Sequence, residues 1–135
     1  MTKRMFERAL EMLKVAEIER SDGFHDLACA SAEQALQLYI KGLLLKYFGI
    51  DAKDHNLGKL MGLLYKELLK ASINADEIYD FVKENRSFLQ MLEEAYYLGR
   101  YGSEEFDERD SEICLSVARK GIEVLEEVRR RLEGD

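Results

Sequence analysis

Residues 27–44, LACASAEQALQLYIKGLL, decide the fold. On a helix, Leu27, Ala28, Ser31, Ala32, Ala35, Leu38, Tyr39, Gly42 and Leu43 form one broad apolar side, and Leu36, Ile40 and Leu44 extend it. A helix apolar over most of its circumference is packed on several sides, so it belongs at the centre of a bundle. Ala28, Ser31, Ala32 and Ala35 are small enough to let a neighbouring backbone approach closely. The helix predicted from this pattern spans residues 24–47.

The flanking sequence repeats the same period. Before it, Met5, Phe6, Ala9, Leu13 and Ala16 recur at steps of three and four, and Gly23 is placed to end that first helix in a left-handed turn. After it, Leu57, Leu60, Met61, Leu64 and Leu68 form a third stripe, with Asp54 expected as its N-cap. A fourth stretch, starting at Asn74 with Glu77 in a capping-box pattern, carries Ile78, Phe81, Val82, Phe88, Leu89, Leu92 and Ala95. Its register slips near Asn85, Arg86 and Ser87, where a kink or break is expected. An acidic loop over 103–110 precedes a last helix bearing Cys114, Val117, Ala118, Gly121, Leu125, Val128 and Leu132. The expected fold is therefore all-α, an antiparallel up-down bundle of four to five helices in a single domain over residues 1–135.

Composition agrees with this reading and excludes several functions. The 135 residues are 47% hydrophobic and 35% charged, with no proline to interrupt a helix. The formal charge of −7 gives no global attraction for a polyanion, so contact with RNA or a nucleotide needs a local basic site. Arg129, Arg130 and Arg131 close the last helix, where they offset its macrodipole. Cys29 and Cys114 fall on apolar helix faces and read as small core residues of an intracellular protein, not as a disulfide or a metal site. The N-terminal segment has charges where a leader needs an apolar run, and no window is long enough to span a bilayer. The expected location is cytoplasmic, away from membranes, with no cofactor and no metal.

Three constellations could carry chemistry. Glu33, Gln37 and Lys41 recur every four residues, a polar stripe on the most apolar helix. It reads first as the solvent side of that helix, and alternatively as the polar wall of a cleft. Asp54-His55-Asn56-Leu57 reads first as a helix cap with a first-turn side chain. Tyr96-Tyr97-Leu98-Gly99-Arg100-Tyr101-Gly102 places an arginine among tyrosines at a helix end, a combination that can fork-bond a phosphate while the rings stack on a base. Equally, the rings could be buried and Arg100 paired with Glu93 or Glu94.

Taken in series, these segments resemble the HEPN family of helical domains. The run from Ala32 to Leu44 is similar to that family's Gln/Glu-Ala pairs leading to Lys-Ala-Leu-Leu. His55-Asn56-Leu57 matches its His-x-Leu, and Tyr96 to Tyr101 resembles its Tyr-x-x-Arg-Tyr signature; the likeness covers residues 28–101. The resemblance implies a bundle that usually dimerises and is akin to the C-terminal domain of kanamycin nucleotidyltransferase. It also implies a minimal nucleotidyltransferase as possible partner, often in a toxin–antitoxin pair. The small face of the second helix and the apolar surplus of the last one also suggest a homodimer.

A large branch of that family cleaves RNA without metal, using an arginine followed after four to six residues by a histidine. Here Tyr101-Gly102-Ser103-Glu104-Glu105-Phe106-Asp107 follows Arg100, without that histidine. Arg20 and His25 reproduce the spacing at the junction of the first two helices, which reads as a decoy. The expected function is a non-catalytic module that binds a nucleotide, RNA or a partner. Its candidate ligand residues are Glu33, Gln37, Lys41, His55, Tyr97, Arg100 and Tyr101, with no catalytic residue. The alternatives are a HEPN ribonuclease and a pure dimerisation scaffold.

Overall fold

The computed structural model describes residues 2–101 and 106–134, with 98–101 described as backbone. Six helices follow one another: α1 Thr2–Ser21, α2 His25–Phe48, α3 Leu57–Lys70, α4 Asp76–Glu84, α5 Arg86–Tyr101 and α6 Glu108–Leu132. The count exceeds the expected four to five by one because the slip near Asn85 is a full break. The Asn85 side chain donates to the Phe81 carbonyl at 2.9 Å, closing α4 before α5 restarts at Arg86.

The central role of α2 holds. Ala28, Ala32, Ala35, Leu36, Ile40, Leu43 and Leu44 are fully buried, and α2 packs on α1, α3, α5 and α6. The Phe6 ring of α1 covers Gly42, and Ser31 donates to Glu19 at 2.6 Å, so α1 runs antiparallel to α2. In contrast, Cys29 meets Cys114 at one end and Tyr47 meets Glu133 at the other. Helices α2 and α6 thus lie side by side in the same direction, a departure from purely antiparallel neighbours.

That parallel pairing corrects the cysteine reading. With small residues between the helices, the Cα atoms of Cys29 and Cys114 lie 5.3 Å apart and the two sulfurs form a disulfide. Spacing in sequence gave no hint of it, because 85 residues separate the pair. The dimer argument also loses its two faces. The small residues Ala28, Ala32 and Ala35 of α2 and the stripe Cys114, Val117, Ala118, Gly121, Leu125 and Val128 of α6 are buried within the chain.

Helix ends show where local rules compete. Gly23 and Gly49 take positive φ after α1 and α2, as left-handed helix ends require. Asp54 is not the N-cap of α3: its carboxylate accepts from the Asn56 N–H, and Asn56 caps the helix by accepting from the Lys59 N–H at 2.9 Å. Asn74 likewise accepts from the Asp76 N–H in a local turn, and α4 begins without a side-chain cap at Ala75. Glu77 instead forms a forked pair with Arg131 of α6. The acidic segment before α6 ends early. Asp107 and Asp110 make a reciprocal capping box, and 108–110 already belong to the helix; 103–105 lie outside the described residues.

The three closing arginines are engaged within the chain. Arg129 stacks on Phe6 at 3.9 Å and pairs with Glu133, Arg130 pairs with Glu127, and Arg131 with Glu77. Among the described residues, no helix is long and apolar enough to cross a membrane.

Candidate functional site

The polar stripe of α2 is not its solvent side. Glu33 is fully buried and Gln37 nearly so, while Lys41, one turn further, emerges partly from the same wall. The reason is position: α5 covers this face of α2, and the segment before α3 folds across it. The cleft reading of these residues therefore describes the geometry.

A chain of hydrogen bonds runs through the cleft. The Gln37 amide donates to both carboxylate oxygens of Glu33, at 3.2 and 2.9 Å. That orientation turns the Gln37 carbonyl toward His55, whose Nδ1 lies 3.0 Å away. A carbonyl can only accept, so Nδ1 carries the proton, and Nε2 is the acceptor of the neutral ring. Lys41 Nζ stands 3.4 Å from the same Nδ1, and since both then carry hydrogen it lies beside the ring without a hydrogen bond. The shorter contact, to the Gln37 carbonyl, thus sets the tautomer of His55, with Lys41 competing for the same nitrogen from the next turn of α2.

Burial sets the charge of Glu33. Desolvation raises its carboxyl from 4.5 to about 7, and the nearby Glu93 charge adds to the rise. The hydrogen bond from Gln37 and the Lys41 charge act in the opposite sense. Glu33 therefore changes charge near neutral pH inside a cleft that also holds an ammonium and an imidazole.

Aromatic rings complete the walls. His55 stacks on Tyr96 with centroids 6.0 Å apart, and Tyr96 meets Tyr97 edge-on at 5.6 Å. Tyr97 is 57% exposed, so the reading that both rings are buried fails for it. On one side of Tyr96 lies a hollow of about 220 Å³ bounded by Glu33, His55, Asn56, Lys59, Glu93 and Tyr97. On the other lies one of about 230 Å³ bounded by Met12, Gln34, Gln37, Leu38 and Lys41. Each is smaller than the roughly 300 Å³ at which ligand pockets begin. A mononucleotide-sized ligand would have to straddle Tyr96.

Five of the seven sequence-derived site residues thus converge: Glu33, Gln37 and His55 by hydrogen bonds, Lys41 by its approach to His55, and Tyr97 through Tyr96. The side chains of Arg100 and Tyr101 lie outside the described residues. Sequence reasoning missed Lys59, and it left Tyr96, Asn56 and Glu93 outside the candidate ligand set although the first two lie in its motifs. Glu93 accepts from the Asn56 side chain at 3.3 Å and from the Gly58 N–H at 3.3 Å, tying α5 to the start of α3. Its placement three residues before Tyr96 on one helix was the available signal.

The Arg20–His25 pair is engaged elsewhere. Both side chains converge on Ser111 Oγ, at 3.2 and 2.9 Å, and Arg20 also faces Glu108 and Glu112. This cluster ties the α1–α2 turn to the start of α6. Among the described residues, no group of histidine, cysteine and carboxylates is arranged to hold a metal ion.

Comparison with known proteins agrees with the geometry at the level of the domain. The family model described as HEPN domain matches residues 2–128. Neither a curated protein nor a solved structure matches the chain.

Proposed function

The chain belongs to the HEPN domain family, and on that premise we propose that it is a nucleotide-binding module rather than an enzyme. One observation carries the reading: a hydrogen-bonded chain runs from buried Glu33 and Gln37 to the exposed His55 and ends beside Lys41 in a cleft walled by Tyr96 and Tyr97. An ammonium beside a held imidazole suits a phosphate, and a half-exposed tyrosine ring suits a base. Protonation of Glu33 removes a negative charge from the wall that receives the phosphate. Arg100 and Tyr101 follow Tyr97 by one helical turn in sequence and are assigned to the same ligand. HEPN domains often dimerise, and the reading includes a homodimer acting with a minimal nucleotidyltransferase in a toxin–antitoxin-like pair.

Calorimetric titration of AMP and ATP tests the site. Saturable binding is expected, weakened about tenfold or more by Lys41→Ala and by His55→Ala, since each removes a charged or charge-assisted contact. Absence of heat at millimolar nucleotide, or binding indifferent to both substitutions, would remove the proposal.

A second reading is favoured by one detail. With Nδ1–H given to Gln37, Nε2 is the ring nitrogen left to face a ribose 2′-hydroxyl as a base. Metal-free RNA cleavage lost in His55→Ala would replace the binding module by a ribonuclease.

A further inference from the structure

Helix α3 carries a second stripe that its core does not use. Leu57, Leu60, Met61, Leu64 and Leu68 face inward and are buried, while Gly58, Gly62, Tyr65 and Leu69 recur at the same spacing on the outside. Leu69 is 52% exposed, and no atom lies within 4 Å of where a side chain at Gly62 would begin. Opposite, α4 and the start of α5 bring up Tyr79, Val82, Lys83 and Arg86, and the two sides enclose a hollow of about 100 Å³ floored by Met61 and Ile78. A second hollow of about 360 Å³ continues it past Gly58, Val82 and Arg86 to Lys59 and Leu89, with Glu93 as its one carboxylate, already engaged by Asn56 and the Gly58 N–H. The result is an open apolar groove.

Its rim is basic. Lys59, Lys83 and Arg86 are exposed, and none forms a salt bridge with a described residue. Three uncompensated cations thus stand around one apolar hollow, close enough together to meet carboxylates on a single helix. We infer that the α3–α4 groove docks an acidic amphipathic helix of a partner protein. Its aliphatic residues lie on Gly58 and Gly62 and enter the hollow between Tyr65 and Tyr79; its carboxylates meet Lys59, Lys83 and Arg86. Bare glycine backbone one turn apart is what close approach of a second helix requires, and the apolar floor offers few polar groups to a base or a phosphate. Lys59 and Glu93 line both this groove and the hollow beside His55, whereas Gly62, Lys83 and Arg86 line the groove and not that hollow.

Fluorescence anisotropy with a labelled Leu/Glu amphipathic peptide of about 18 residues, long enough to be helical alone, tests the assignment. The comparison probes are the same peptide with Lys in place of Glu, and a single-stranded oligouridylate. The Leu/Glu peptide should bind saturably and the Leu/Lys peptide at least about tenfold more weakly. The double substitution Lys83→Glu, Arg86→Glu should cost the Leu/Glu peptide a similar factor. Gly62→Phe should do the same by filling the groove, while its thermal unfolding stays at or above that of the parent because the position is open and helical. No saturable binding of the Leu/Glu peptide, binding unchanged in every variant, or preferential capture of the oligouridylate lost on charge reversal would each overturn the assignment.

Discussion

Replacing Glu33 by Gln separates the cost of burying a charge from the value of the hydrogen bonds around it. In the folded chain the Glu33 carboxyl sits at about 7, against 4.5 for a solvated one. The folded state therefore holds a proton that the unfolded state releases between those values. Stability from this group is complete below about 4.5 and is lost as pH rises through about 7. At about 1.4 kcal/mol per pH unit, the interval amounts to roughly 3 kcal/mol lost by the parent at alkaline pH. A neutral amide at position 33 does not titrate, so the variant lacks that slope. It must still place an N–H where Gln37 now donates to the second oxygen, a cost of about 1–2 kcal/mol at every pH. Urea unfolding of both proteins from about pH 4 to pH 9 should show the variant less stable in acid and more stable in base, with the difference swinging by roughly 3 kcal/mol. Parallel profiles would refute the reasoning, because a constant offset is what a hydrogen-bond effect alone produces.

Further substitutions probe the packing around α2. A side chain at Gly121 would start 2.8 Å from Leu36 Cδ1 and 3.0 Å from Phe81 Cζ, so Gly121→Val should cost about 2–3 kcal/mol by overpacking, read from urea midpoints. Leu36→Ala, at the fully buried centre, should cost about 2–5 kcal/mol. The Cys29–Cys114 bond closes a loop of 85 residues, and Cys114→Ala should lower stability by about 2–4 kcal/mol. Thiol titration of the unreduced, denatured parent should accordingly find no free cysteine.

The sequence made the helices legible because each buried stripe repeats at helical spacing: all five residues of the α3 core stripe are buried as expected. Helix starts were less legible, since Asp54 and Asn74 both satisfy an N–H two residues on, a local bond that competes with capping. The polar stripe of α2 was misjudged at first reading for a different reason. Spacing shows that Glu33, Gln37 and Lys41 share a face, but only the later arrival of α5 and of His55 decides whether that face is wet. The disulfide was hidden for the same kind of cause, since the parallel course of α2 and α6 depends on connections that no local pattern encodes.

Nitrogen-detected and amide NMR of the cleft tests the central claim most directly. During a titration with AMP, the Gln37 side-chain N–H₂ and the His55 ring nitrogens should shift together along one saturating curve, with Nδ1 protonated throughout. Shifts confined to residues away from Glu33, Gln37, Lys41 and His55, or none at all at millimolar AMP, would contradict it.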